Sequence, residues 1–204
     1  MKRYLYNVYD ALSEAQCDFY ETERDSIDVL FLGSSHVGAA FNPQNLYDEY
    51  NITSYNLSSD GQSLWISYYW MKEVLGYQSP KAVVLDCYEL LRDKKDSETE
   101  ARKAFDNMRL GKVKIEVVDA VCTFDESQSM FSYLLTNPRY HERWAGLGEM
   151  DFTWKEDIVP PSKLKGFFLY KEQCGYQDYT PLEIRGTETA DFMPGRGQKL
   201  ILIR

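Results

Sequence analysis

Histidine is nearly missing from the 204-residue chain, with His36 and His141 the only two, and Cys17, Cys87, Cys122 and Cys174 are far apart with no Cys-x-x-Cys. That scarcity signals neither a zinc site nor a disulfide framework, and the thiols read as small core side chains. Positive charge is also in deficit: 23 Lys and Arg stand against 32 Asp and Glu, a net charge of −9, which opposes the polyanion attraction behind nucleic-acid binding. No Gly-x-Gly-x-x-Gly and no Gly-x-x-x-x-Gly-Lys-Ser/Thr occurs, which leaves a phosphate-binding loop at Gly33 to Ser35 without its motif. No apolar run approaches the roughly 18 residues of a membrane span. Asp10 and Glu14 interrupt the N-terminal stretch before a signal-peptide core can form, so the default expectation is a cytoplasmic protein. Gly and Pro, 12 and 7 residues, are too few for low complexity. No cofactor is expected.

The remaining pattern is that of an α/β domain. Tyr4, Leu5, Val8, Leu12 and Phe19 share a helical face and predict an amphipathic lead-in helix over 4–22. Ile27–Leu32, rich in β-branched and aromatic residues, and Ala82–Asp86 suit strands buried on both faces, and Ile52–Leu57 is a second candidate strand. Asn42 as N-cap and Pro43 at the first helical position begin a helix that runs to Tyr50, and Leu64, Tyr68, Met71 and Leu75 predict another over 63–75, stopped by Gly76. Alternating strands and helices predict right-handed crossovers and a three-layer, flavodoxin-like parallel sheet whose order begins 2-1-3. The switch point then lies at the carboxyl end of the first strand, where open α/β sheets place their ligands.

After Leu91 the pattern changes. Arg92–Glu100 reads as a solvated helix face or loop, 104–109, 113–121 and 127–135 as helical pieces, and most of 137–198 as loop. We read 1–25 as the lead-in and 26–204 as one domain with an insertion over about 91–195. Lys199–Ile203 predicts a fourth strand.

Leu32-Gly33-Ser34-Ser35-His36 puts Ser35 in the turn after the first strand, where a hydroxyl can be exposed beside backbone N–H groups. Asn56-Leu57-Ser58-Ser59-Asp60-Gly61-Gln62-Ser63 ends the second strand at the same edge. Asp86 and Glu89, at the end of the third strand, suit the orienting of a sugar hydroxyl or the capping of a loop. Trp65, Tyr68, Tyr69 and Trp70 suit stacking on a sugar ring or packing on the sheet, and Tyr140, Trp144, Phe152 and Trp154 suit a groove lining or a satellite core.

The two loops and Lys81–Asp86 together resemble the SGNH (GDSL-like) hydrolase and acyltransferase superfamily, over roughly 26–90 and more faintly over 141–152. The likeness is to its cell-envelope branch, which includes the teichoic-acid D-alanylation protein and alginate O-acetyltransferases. The resemblance implies that Ser35 is the nucleophile, Ser34 stands at the usually acidic position, and the N–H groups of Ser58 and Gly61 serve the oxyanion. It implies an acyl ester of an envelope glycan, or a small ester, as substrate and an envelope location. The family's third block supplies an asparagine donor, whereas this chain reads Asp86-Cys87-Tyr88-Glu89, which leaves Tyr88 as a substitute. The family's C-terminal Asp-x-x-His is also missing, so we expect that the chain lacks the last part of its domain and has weak or no activity. His36 and His141 are the candidate substitute bases. The rival expectation is a non-catalytic glycan-binding or assembly module on the same fold.

Overall fold

The predicted strands form three adjacent parallel strands, β1 (Val29–Gly33), β2 (Ser54–Ser58) and β3 (Ala82–Asp86), the first two starting two residues later than predicted and the third where predicted. The computed structural model describes residues 11–88, 97–124, 129–135, 164–168, 189–190 and 199–203. β1 is central, with Leu30 opposite both Tyr55 of β2 and Val83 of β3, so the order is 2-1-3 as the connections require. Lys199–Ile203 (β5) joins in parallel beside β3, and Thr189–Ala190 (β4), in a stretch read as loop, pairs antiparallel with β5. The full order is β2-β1-β3-β5-β4.

The two crossovers leave on opposite faces, as right-handed connections running left and then right from β1 must. Between β1 and β2 run α2 (Ser35–Ala40) and α3 (Pro43–Tyr50). Val37, Phe41 and Leu46 pack on Phe31 and Val84, with the Phe31 and Phe41 rings stacked at 4.2 Å. Asn42 caps α3 by accepting the Gln44 N–H at 2.9 Å, with Pro43 in the first turn. Between β2 and β3 runs α4 (Leu64–Val74) on the other face, where Ile66, Trp70 and Val74 pack on Leu30, Leu32, Leu57 and Val83. Its end is not a left-handed glycine stop. Gly76 keeps a negative φ, and its N–H closes a tight turn onto the Glu73 carbonyl at 3.0 Å.

The described end of the charge run begins a helix, and its polar side chains are exposed or half-buried. A capping box at Ser97 and Glu100 starts α5 (Glu98–Phe105) inside the run, ahead of the helix predicted over 104–109. With α6 (Lys112–Phe124) and α7 (Met130–Leu134), this helix contributes Ala104, Phe105, Val117, Val118 and Tyr133 to the same core as the sheet. The Trp70 indole N–H donates to the Ala104 carbonyl at 2.6 Å and fastens α4 to α5. The lead-in is α1 (Ala11–Asp18) followed by a 3-10 turn, Phe19–Glu21, with Leu12 and Phe19 buried; residues 4–10 lie outside the described residues. Among the described residues, no helix is long and apolar enough to cross a membrane and no group of His, Cys, Asp and Glu is arranged for a metal ion.

Candidate active site

Three chain segments meet at the carboxyl edge of the sheet: the turn after β1, the loop after β2 and the end of β3. The register Leu32↔Leu85 brings Asp86 alongside Gly33, and only a glycine allows that approach. A Cβ on Gly33 would lie 2.4 Å from the Asp86 Cβ, and its φ of +154° is one that L side chains rarely adopt.

The backbone turn puts Ser34 at the N-cap of α2 and Ser35 at its first residue. Ser34 is buried, at 2% exposure, and its Oγ donates to Asp86 Oδ2 at 2.6 Å. The same oxygen accepts the His36 backbone N–H at 3.4 Å and lies 3.2 Å from His36 Nδ1. Asp86 also accepts the Ser34 N–H at 3.3 Å through Oδ2 and the Tyr88 N–H at 2.8 Å through Oδ1. His36 Nδ1 is 3.8 Å from Asp86 Oδ2, and the Tyr88 ring meets the imidazole edge to face, with centroids 4.4 Å apart. The His36 side chain is 57% exposed. Ser35 is half-buried, and among the described residues no partner takes its hydroxyl.

The loop after β2 is held by its own side chains and by its neighbours. Ser58 lies in the ladder opposite Gly33 at 1% exposure, its hydroxyl buried without a hydrogen-bond partner, and its carbonyl accepts from Gln16 Nε2 at 3.5 Å. Ser59 N–H donates to the Gly33 carbonyl at 3.3 Å, tying the two turns together. The Ser59 hydroxyl donates to Gln62 Oε1 at 3.2 Å, and Gln62 Nε2 donates to the Ser67 hydroxyl at 2.9 Å. Gly61, at φ +65°, faces α5, where a Cβ would meet Glu100 Oε1 at 3.0 Å.

The fold therefore gathers Ser34, Ser35, His36, Asp86 and Tyr88 at one edge, with Ser58 beneath them in the ladder. Gly61 lies toward α5. Trp65 packs against the core at the start of α4 and meets Tyr69 edge to face at 6.2 Å, and Trp70 is fully buried, so that ring is not available to a ligand. Tyr68 is exposed. His141, Glu89, Tyr140, Trp144, Phe152 and Trp154 lie outside the described residues. The sequence reading missed the bond between Ser34 and Asp86. Its signal was present: in a 2-1-3 sheet, the residues just past β1 and β3 are neighbours. Chemically, the edge offers the Ser35 hydroxyl, an exposed imidazole on the next residue and a carboxylate bonded to Ser34, a set suited to nucleophilic and proton-transfer work. Compared with known proteins, the chain matches no family model, no curated sequence and no solved structure.

Proposed function

We propose that the protein carries out ester chemistry at Ser35, on the pattern of the SGNH hydrolases and acyltransferases that its loops resemble. The observation that carries this reading is the contrast between the two adjacent serines. Ser34 is buried and bonded to Asp86, whereas Ser35 sits half-buried with its hydroxyl uncommitted, one residue from an exposed imidazole. An acyl group enters on Ser35 Oγ as the alcohol leaves, and water or a second alcohol removes it. The substrate class that the resemblance implies is an acyl ester of a cell-envelope glycan, with hydrolysis and transfer sharing the same acyl-enzyme.

Incubating the purified chain with a fluorophosphonate, followed by peptide mass spectrometry, tests the reading. We expect an adduct on Ser35, its loss in Ser35→Ala, and its retention in Trp65→Ala. An adduct elsewhere, or equal labelling of Ser35→Ala, would exclude Ser35 as nucleophile. A folded, unlabelled protein that is retained on envelope glycan would favour the binding-module reading.

A further inference from the structure

We infer that Ser34 is a hydrogen-bond relay that passes the hold of Asp86 to the His36 imidazole, fixing the proton on Nδ1 and leaving Nε2 as the free proton acceptor of the site. A serine Oγ has one proton and two lone pairs. Its proton is used on Asp86 Oδ2 at 2.6 Å, since a carboxylate has none to give. One lone pair takes the His36 backbone N–H at 3.4 Å. The contact to Nδ1 at 3.2 Å must then be one in which the imidazole donates. Nδ1 carries the hydrogen, and the lone pair is on Nε2.

In the usual serine triad the carboxylate takes the Nδ1 hydrogen directly. Here that direct distance is 3.8 Å, and the hydroxyl closes the gap. Asp86 is itself held by the N–H groups of Ser34 and Tyr88, and the Tyr88 ring abuts the imidazole, so both ends of the relay are fixed. The relay makes Ser34 and Asp86 positioning residues and His36 the base.

The catalytic use of this base rests on the Ser35 reading. Consecutive side chains on a helix do not face one another, so the Ser35 proton reaches Nε2 through one water. Ser35 Oγ bonds to the acyl carbon, the Oγ proton passes to Nε2, and the departing alkoxide takes a proton back from Nε2–H. In the second half water attacks the acyl carbon, its proton goes to Nε2, the bond to Oγ breaks, and Oγ is reprotonated. Protons and electron pairs balance with no added reactant.

The test uses the full chain with 15N-labelled histidine, in mildly alkaline solution where imidazole is neutral, with His36→Gln to assign the signals. We expect His36 as the Nδ1–H tautomer, a shift toward Nε2–H in Ser34→Ala, and Ser35 labelling slowed about tenfold or more by Ser34→Ala and about 100-fold or more by His36→Gln. Should Ser34→Ala fail to fold, Ser34→Gly keeps a tolerated cap and repeats the measurement. An Nε2–H tautomer in the wild-type chain, or a tautomer unmoved by loss of the Ser34 hydroxyl, overturns the relay. Ser35 labelling unaffected by His36→Gln overturns the base and leaves the Ser35 reading standing. The stated tautomer in a chain whose Ser35 is never labelled supports the relay and sinks the Ser35 reading alone.

Discussion

An aspartate stands at each end of the sheet, and the two are used differently. At the amino edge, Asp28 is closed in by all three strands. Its Oδ2 accepts the Thr53 N–H at 3.1 Å and hydroxyl at 2.8 Å, its N–H donates to Thr53 Oγ1 at 3.1 Å, and Lys81 Nζ lies 2.6 Å from Oδ1. The Lys81 N–H also donates to the Asp28 carbonyl at 2.8 Å. At the carboxyl edge, Asp86 is likewise bonded to its neighbours, but the groups around it have valences left over: the Ser35 hydroxyl, the outer edge of His36 and the exposed face of Tyr88. One edge is a clasp. The other uses a similar clasp to aim groups that the fold itself does not need.

Breaking the carboxyl-edge clasp should have the largest effect. Gly33→Ala forces a Cβ onto the Asp86 side chain in a backbone conformation suited to glycine, so we expect a loss on the order of 2–4 kcal/mol in denaturant unfolding. A wild-type midpoint would show that Asp86 does not need that approach.

At the amino edge the expected effect is smaller and depends on pH. Hydrogen bonds from Lys81 and Thr53 hold the Asp28 carboxyl below its ordinary value, so the folded state binds this proton less readily than the unfolded chain. The stabilisation is present above the unfolded carboxylate range and is lost as pH falls through the lower, folded-state value. Lys81 is largely exposed, and Asp28→Asn should cost about 1 kcal/mol at neutral pH and nothing in strong acid, where the wild-type advantage is gone. A difference that persists into strong acid would mean that shape, and not charge, is what Asp28 contributes.

The smallest effect sharpens the contrast. Ser35→Ala removes from a helix's first turn a hydroxyl that has no partner among the described residues, so its unfolding midpoint should stay within about 0.5 kcal/mol of wild type while the proposed labelling at Ser35 is lost. A marked loss of stability would assign Ser35 to the frame.

What could be read from the chain was what is local or periodic. Asn42-Pro43 starts α3 because cap and first turn are adjacent in sequence, and β1 and β3 follow from apolar runs of the right length. α2 has only six residues, too few for a helical period, and the start of α5 hid in a polar run although Ser97 and Glu100 spell a capping box. At the site, Ser35 was visible as a serine after a buried strand. The role of Ser34 was not, because its partner Asp86 lies 52 residues away and the bond exists only once β1 and β3 are side by side. The aromatic run on α4 shows the opposite limit. Side-chain type suggested stacking, but helical phase sends Trp70 inward and Tyr68 outward, and only the packing of α4 on the sheet distinguishes them.

β2 forms one border of the sheet, and a short piece of much later chain lies against it. The Asn56 N–H donates to the Lys165 carbonyl at 3.0 Å, the Phe168 N–H donates to the Gly38 carbonyl at 3.0 Å, and a Cβ on Gly166 would fall 2.0 Å from the Asn56 carbonyl oxygen. Residues 164–168 thus act as a selvedge on a border whose bare backbone would otherwise template another strand. Among the described residues, the partner of the Asn56 N–H comes more than a hundred residues after β2 in the chain. Long-range closure of this kind is late in folding, and Gly166 is the residue that lets the selvedge lie against the border.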